Sequence, residues 1–339
     1  MRRCRFNILI GILFPFLIFP LLASGILQKW DNPHDPLLVN GTIQTSHGSI
    51  GSVEPLGDFK SVTIPLKRAG RLFLLEARIG DQTGNFVFDT GASKLVLNRT
   101  YFRKDLTPVD EPAGGITGNI DGVFQTRVQK LELTELYYEN LVADVINLGQ
   151  IENRRGVKIL GLFGMGLFRG LEMVIDLKRG ELHLYRIDRE GRRLSTDSGR
   201  LKTDLTSSIK EAGGVVFVQA CLGGKNLDFC LDTGAEANVL SNTTSEKVLG
   251  TVTITRRSGL TGSGSNESQV LYGTMTDFFL SKHPMHPMQT MITDLESLAM
   301  AYNYPLSGVL GYDFFEKGIV SINLVKKELG ICLEMEAVQ

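Results

Sequence analysis

The sequence contains few cysteines and almost no net charge. Beyond the first thirty residues only Cys221, Cys230 and Cys332 remain, and an odd number argues against a disulfide framework. A disulfide between Cys221 and Cys230 is one interpretation, because the two residues lie on strands joined by the short turn 223–226. The favoured interpretation is that both are small buried hydrophobic residues. The 36 basic and 37 acidic side chains give a formal charge of −1. The electrostatic footprint of a nucleic-acid-binding protein is therefore missing.

The overall composition is that of an ordinary globular protein. Hydrophobic residues make up 42% and charged residues 22% of the chain, which excludes disorder throughout. The 37 glycines indicate many turns, and 339 residues are enough for about two domains.

The first 25 residues are predicted to be a targeting segment. Three arginines among the first five residues precede an apolar run over residues 8–23, followed by small residues at 23–25. This run is shorter than the roughly 20 residues of a membrane span, so a signal peptide is favoured over an N-terminal membrane anchor. Either interpretation predicts an exported chain, in the periplasm, in a secretory lumen or outside the cell, with a membrane tether through residues 8–23 as the alternative. Residues 26–58 are polar, without apolar periodicity, and are predicted to be a linker.

A duplicated motif organises the rest of the chain. The sequence F-V-F-D-T-G-A at Phe86–Ala92 returns as F-C-L-D-T-G-A at Phe229–Ala235. In each copy apolar residues lead into Asp-Thr-Gly-Ala and soon resume, a pattern that predicts a buried strand, a tight turn and a second buried strand. Buried aspartates are rare without a partner. The simplest interpretation is that Asp89 and Asp232 are each other's partner.

The repeat continues well beyond this motif. Leu162-Phe163-Gly164 matches Val309-Leu310-Gly311, 147 residues later, and each predicts a buried strand followed by a short helix. Two glycine-rich segments, around Ile116 and around Leu260, are each predicted to form the tip of a hairpin.

Together these patterns predict a mainly β protein with two pseudo-symmetric lobes and the paired aspartates at their boundary. The N-terminal lobe is predicted to span 59–189 and the C-terminal lobe 212–339, joined by a polar interlobe linker at 190–211. A monomer with intramolecular pairing of its lobes is the expected state.

Residues 61–335 resemble the retroviral-type (retropepsin-like) aspartic proteases, as two fused copies in one chain, and more distantly the two-lobed pepsin-like enzymes. The two Asp-Thr-Gly-Ala turns and the two apolar-apolar-Gly motifs carry the resemblance. It implies an aspartic endopeptidase that cleaves extended peptides or unfolded protein segments. Asp89 and Asp232 would share one proton and activate a water molecule, with no metal or organic cofactor.

The resemblance also assigns supporting roles beside the aspartates. Gly91 and Gly234 would permit the tight turns, and the hydroxyls of Thr90 and Thr233 would hydrogen-bond to the backbone of the opposite lobe. Ala92 and Ala235 stand where pepsins usually carry Ser or Thr. Without that hydroxyl the dyad should titrate higher, which predicts a mildly acidic to neutral pH optimum.

The hairpin tips resemble the family's flaps, which close over the substrate. Glu236, directly behind the second turn, is expected to contact the substrate backbone or a nearby arginine. The predicted flap residues are Gly115, Ile116, Thr117, Gly118, Gly259, Leu260, Thr261 and Gly262.

Less specific interpretations accompany these predictions. The fold could serve a catalytically silent peptide-binding protein, or the Asp-Thr-Gly turns could be structural. The segment 283–288, with two histidines and two methionines, is expected to be a loop rather than a metal site, since its prolines prevent a helical pair of histidines. The arginine pairs at 154–155, 192–193 and 256–257 are predicted to lie on the solvated surface.

Overall fold

The computed structural model describes residues 8–9, 53–109, 113–115, 118–120, 122–195, 202–261 and 267–333. Most of these residues lie in strands, which are, in chain order, β1 (Ile8–Leu9), β2 (Ser61–Pro65), β3 (Lys67–Ala69), β4 (Leu72–Ile79), β5 (Gln82–Asp89), β6 (Val96–Asn98), β7 (Thr107–Pro108), β8 (Ala113–Gly115), β9 (Gly118–Ile120), β10 (Phe124–Leu133), β11 (Leu136–Ile146), β12 (Ile159–Gly164), β13 (Leu171–Asp176), β14 (Glu181–Arg186), β15 (Leu205–Ala212), β16 (Val215–Leu222), β17 (Lys225–Leu231), β18 (Asn238–Ser241), β19 (Val252–Thr261), β20 (Glu267–Met275), β21 (Phe278–Leu280), β22 (His283–Pro284), β23 (Met288–Thr293), β24 (Gly308–Leu310), β25 (Gly318–Asn323) and β26 (Glu328–Leu333). The helices are α1 (Gly149–Arg155), α2 (Glu246–Leu249), α3 (Glu296–Tyr302) and α4 (Tyr312–Phe315), and a 3-10 helix covers Met165–Phe168.

The N-terminal lobe is built on an eight-stranded sheet with the order β3-β4-β5-β12-β6-β11-β10-β7, and a further pairing of β4 with β10 closes it into a barrel-like sheet. Strand β12 runs parallel to β5, with Phe163 beside Phe88 and Gly164 beside Asp89. All six residues of β12 are buried, which explains its continuous apolar sequence, since a strand covered on both faces does not alternate. The apolar-apolar-Gly motif is thus the strand next to the one that ends in Asp89.

The C-terminal lobe repeats this arrangement. Strand β24 runs parallel to β17, with Leu310 beside Leu231, directly before Asp232. Gly164 and Gly311 close the motif in the two lobes because a side chain has no room there. A Cβ would lie 2.2 Å from the carbonyl oxygen of Lys94 at Gly164 and 2.6 Å from that of Ala235 at Gly311. Aromatic contacts anchor the aspartate strands, with Phe88 edge-on to Phe168 at 5.5 Å.

Six antiparallel strands join the lobes in one platform, ordered β2-β14-β13-β25-β26-β15. At its centre β13 pairs with β25, and Val174 lies opposite Ser321. These two residues are 147 positions apart, the same interval that separates Gly164 from Gly311. A residue that pairs with its own counterpart marks a two-fold axis, so the approximate symmetry axis of the molecule passes between Val174 and Ser321.

Helices α1 and α3 occupy equivalent places in the two lobes. Each has seven residues and ends at a left-handed residue, Gly156 with φ 65° after α1 and Asn303 with φ 49° after α3. These are residue types that tolerate this conformation. A small apolar cluster lies beside each helix, containing Leu74, Val87 and Leu162 in one lobe and Phe217, Cys230 and Val309 in the other.

The predicted fold class is confirmed, including a short helix after each apolar-apolar-Gly motif. The structure differs from the predicted interlobe linker at 190–211, because strand β15 begins at Leu205. Leu205 and Ile209 are buried, but the intervening Thr-Ser-Ser hides their period. The predicted linker at 26–58 also ends earlier, since Arg186 donates hydrogen bonds to the carbonyls of Pro55 and Gly57.

The predicted targeting segment, residues 1–25, lies outside the described residues except for Ile8–Leu9, which pair as β1 with β8. It stays a prediction. In the described part of the chain, no helix combines the length and the apolar character needed to span a bilayer.

Candidate active site

Asp89 ends strand β5 and Asp232 follows strand β17, and both side chains are fully buried. The neighbouring glycines show how closely the two turns approach. A Cβ on Gly91 would lie 2.4 Å from Cγ of Asp232, and a Cβ on Gly234 would lie 2.6 Å from Cγ of Asp89. Each glycine therefore lies directly against the carboxyl group of the opposite lobe. The structure brings the two aspartates together at the lobe boundary.

The threonines of the two turns interlock the lobes. The hydroxyl of Thr90 donates to the carbonyl of Leu231 at 2.8 Å and accepts from the amide of Thr233 at 3.0 Å. The hydroxyl of Thr233 makes the mirror-image pair, to the carbonyl of Phe88 at 2.8 Å and from the amide of Thr90 at 3.0 Å. All four hydrogen bonds cross between the lobes and are buried. The arrangement that the family resemblance implied for Thr90 and Thr233 is present.

Backbone amides hold the carboxylates in place. Oδ1 of Asp89 accepts from the amides of Gly91 at 3.0 Å and Ala92 at 3.1 Å, and Oδ1 of Asp232 accepts from the amide of Gly234 at 2.8 Å. Burial raises the pKa of Asp89 well above its usual range, and the charge of Asp232 and a hydrogen bond to it add to this effect. The two amides act in the opposite direction. Two carboxyls in such contact hold one proton between them most readily.

No N–H or hydroxyl group in the described part of the chain donates to Oδ2 of Asp89, although this oxygen is buried. Ala92 and Ala235 are also fully buried and supply no hydroxyl. Oδ2 of Asp89 thus has hydrogen-bonding capacity left for a shared proton or for a bound reactant.

Two hairpins occupy the predicted flap segments. In the first, β8 and β9 pair Gly115 with Gly118; Ile116 and Thr117, which lie between these strands in the sequence, are outside the described residues. In the second, β19 continues through Leu260 and Thr261, which pair with Ser268 and Glu267.

The prediction that Leu260 stands at the tip of the second flap therefore needs correction. Leu260 lies within strand β19, which continues through Thr261, whereas Gly262 lies outside the described residues. The prediction placed the tip too early in the sequence because it relied on the glycines at 259 and 262. In the structure Gly259 lies within the strand and pairs with Gln269 of β20.

Glu236, directly behind the second turn, is held by arginines of the other lobe. The guanidinium of Arg155 donates to Oε2 of Glu236, and Nη1 of Arg71 donates to the carbonyl oxygen of Glu236 at 3.1 Å. Burial raises the pKa of Glu236, and the charge of Arg155 opposes that shift. Of the two contacts that the sequence predicts for Glu236, the one to a nearby arginine is present. Its contact with substrate stays a prediction.

Arg155 and Arg193 correct the prediction that the arginine pairs are solvated. The side chain of Arg155 is 20% exposed and that of Arg193 is 11% exposed, and each is paired with a glutamate. The sequence offers no sign of these contacts because the partners are distant in the chain. The same holds for Arg71, which forms an ion pair with the buried Asp313 across the lobe boundary at 3.0 Å.

A second charged group lies just past the first turn. Nζ of Lys94 is 3.0 Å from Oδ1 of Asp144, which also accepts from Gln125 at 3.0 Å. Asp144 is fully buried, and burial raises its pKa against the opposing charge of Lys94. This group was not predicted from the sequence, although an acid within the apolar strand β11 is a visible signal.

The remaining candidates form no site among the described residues. The three cysteines are free, and in the β16–β17 hairpin Cys221 pairs with Asn226 while Cys230 pairs with Phe217, so the register separates the two thiols. In the segment 283–288 the two histidines are exposed and the two methionines are buried. No group of three or more metal-binding side chains gathers in the described part of the chain.

Comparison with known proteins identifies the family. The model of the aspartyl protease family matches residues 75–167 and 218–314, together more than half of the chain. The chain therefore belongs to the aspartyl protease family, and the resemblance drawn from the two Asp-Thr-Gly-Ala turns is confirmed. The matched segments contain Asp89 and Asp232, one each.

Among solved structures, the aspartic proteinase from Irpex lacteus is similar, with 12% sequence identity and a TM-score of 0.47. The match covers 82% of this chain and 98% of that one. A search of the curated proteins finds no match.

Proposed function

We propose that this protein is an aspartic endopeptidase in which Asp89 and Asp232 form the catalytic dyad. The observation that supports this most strongly is the opposed pair of turns, where each glycine lies against the carboxyl of the other lobe. Building two buried carboxyls into contact costs free energy, and the four threonine hydrogen bonds hold them there. A purely structural turn needs neither the contact nor the second copy.

The dyad works by dividing the roles of base and acid between two equivalent groups. With one proton shared, the ionised carboxylate takes a proton from a water molecule, which attacks the carbonyl carbon of the scissile peptide bond. The protonated carboxyl donates to the developing oxyanion. The proton taken from water is then delivered to the leaving nitrogen, the C–N bond breaks, and the dyad returns to its singly protonated state.

The substrate is an extended peptide or an unfolded protein segment. The hairpins β8–β9 and β19–β20 support this proposal, because hairpins of this kind offer backbone groups to an extended chain and exclude water. The matched lobes lie in one chain and share the platform, which supports a monomer with intramolecular pairing of its lobes. For its location we propose export directed by the leader, with a membrane tether through residues 8–23 as the alternative to a cleaved signal peptide.

The test is cleavage of a peptide library by the purified protein at several pH values, with and without a pepstatin-type inhibitor. Asp89→Asn and Asp232→Asn are the matched variants, since each keeps the shape of the side chain and removes its acid. We expect cleavage by the wild type, inhibition by the transition-state analogue and background rates in both variants.

Two outcomes would contradict the proposal. Equal cleavage by the wild type and both variants would exclude the dyad mechanism. Peptide binding by the wild type without cleavage at any pH would assign the protein to the catalytically silent peptide binders.

A further inference from the structure

We infer that Arg155 and Tyr302 are a matched pair of positioning residues, each reaching across the lobe boundary to hold the turn that carries the other lobe's aspartate. The inference rests on the proposed function, because it gives the two contacts a role in placing the catalytic dyad. It extends that function to two residues that lie outside the Asp-Thr-Gly-Ala turns.

The two residues occupy equivalent places in the repeat. Arg155 is the last residue of α1, Tyr302 is the last residue of α3, and both helices end in a left-handed residue. They are 147 positions apart, the interval that also relates Gly164 to Gly311. The fold therefore delivers two chemically different side chains to the same location on opposite sides of the dyad.

Tyr302 contacts the turn of the N-terminal lobe through a backbone carbonyl of that turn. Its hydroxyl donates to the carbonyl oxygen of Gly91 at 3.3 Å. That oxygen belongs to the peptide group whose N–H, on Ala92, donates to Oδ1 of Asp89 at 3.1 Å. One peptide plane thus joins Tyr302 to Asp89. A donor on its carbonyl fixes the plane and polarises the N–H that the carboxylate receives.

The surroundings of Tyr302 keep its hydroxyl in this role. The ring is buried and packs edge-on against Phe217 at 5.5 Å, and the thiol of Cys230 donates to the hydroxyl oxygen at 3.7 Å. Burial raises the pKa of Tyr302 well above its usual range. The phenol stays protonated, and stays a donor, at every pH at which the dyad can work.

Arg155 contacts the C-terminal lobe through the side chain of Glu236, which follows the turn. Its guanidinium pairs with Glu236, which lies two residues beyond Gly234, and Arg71 donates to the carbonyl of the same glutamate. The turn between β3 and β4 presses against this arginine, since a Cβ on Gly70 would lie 2.5 Å from its Nη1. The Glu236 side chain is only 4% exposed, so the pair is shielded from solvent screening.

The two contacts are reciprocal, and this reciprocity carries the inference. A hydroxyl buried by chance finds any nearby acceptor, but here both equivalent side chains find the opposite lobe, and both contact the segment directly following an aspartate. A displacement of either turn would therefore break or strain a contact with the last residue of the opposite lobe's helix.

The experiment compares Tyr302→Phe with Tyr304→Phe in the full-length protein. Tyr304 is a matched control because its ring also packs on that of Phe217, with the centroids 4.4 Å apart, while its hydroxyl is hydrogen-bonded to Lys210 and not to the turn. For Tyr302→Phe we expect kcat to fall about 2- to 10-fold with KM unchanged, the effect of one hydrogen bond. The acidic limb of the pH–rate profile should move to higher pH, because an N–H that is less well aimed stabilises ionised Asp89 less. Tyr304→Phe should match the wild type.

Hydrogen exchange at the amide of Ala92 provides a readout that needs no activity. We expect faster exchange in Tyr302→Phe and wild-type exchange in Tyr304→Phe. Unchanged exchange and an unchanged pH profile in Tyr302→Phe would overturn the inference, as would equal changes in both variants. A wild type that cleaves no peptide would reject the proposed function, while the exchange result would still decide whether the contact holds the turn.

The Arg155 arm is tested by a double-mutant cycle with Arg155→Met, Glu236→Gln and the double variant. We expect the double variant to have the kcat of the more damaged single variant, because both changes break one contact. Additive losses would overturn the role of this pair.

Discussion

Thr90→Val is the sharpest test of how the lobes are joined. Valine has nearly the shape of threonine, so the substitution removes the hydroxyl and leaves the packing intact. The carbonyl of Leu231 loses its 2.8 Å donor and the amide of Thr233 loses its 3.0 Å acceptor, both in buried surroundings. An unsatisfied buried group costs about 1–3 kcal/mol. Two such groups predict a loss of about 2–6 kcal/mol in the free energy of unfolding.

The assay is equilibrium unfolding in urea, followed by fluorescence and circular dichroism, with peptide cleavage measured on the same samples. Thr90→Ser is the control, since it keeps the hydroxyl and both hydrogen bonds and loses only a methyl group, at about 1 kcal/mol. A loss below about 1 kcal/mol in Thr90→Val, or a loss in Thr90→Ser as large as in Thr90→Val, would refute the reasoning.

Three further predictions concern charges at the site. Asp89→Asn should be more stable than the wild type at pH 7 in thermal melts. The pKa of Asp89 is higher in the native than in the unfolded state, so the wild type loses stability as pH rises from the unfolded-state pKa through the native one. A variant that melts at a lower temperature than the wild type at pH 7 would contradict this. Ala92→Ser places a donor beside the ionised dyad, so the acidic limb of its pH–rate profile should move to lower pH, and an upward shift would count against it. Lys94→Met leaves Asp144 buried without its cation, so the variant should lose about 3–5 kcal/mol of unfolding free energy at neutral pH. The loss should shrink as pH falls and Asp144 takes up a proton, and a loss that does not depend on pH would contradict the prediction.

The sequence predicts the parts of this molecule that depend on local pattern. The turns at Asp89 and Asp232 are visible because an apolar strand must end at the acid and a glycine must follow it. Gly91 and Gly234 are required by the opposite carboxyl, whose Cγ would lie only 2.4 Å and 2.6 Å from a Cβ at these two positions. A repeat with nearly constant spacing then defines the two lobes.

What escaped prediction depends on contacts between distant parts of the chain. The pairing of Arg155 with Glu236 joins residues 81 positions apart, and that of Arg71 with Asp313 joins residues 242 apart. Nothing near Arg155 in the sequence distinguishes it from a surface arginine. The prediction for the tip of the second hairpin was wrong for another reason. The last part of β19, from Arg256 to Thr261, has no apolar alternation that would mark where the strand ends.

The pH dependence of kcat/KM for peptide cleavage, measured for the wild type beside Asp89→Asn and Asp232→Asn, decides whether the paired aspartates are the catalytic machinery. We predict a bell-shaped profile for the wild type, whose two limbs belong to the carboxyl pair, and background rates for both variants at every pH. Full activity in either variant, or a wild-type profile without an acidic limb, would show that the dyad does not catalyse the reaction.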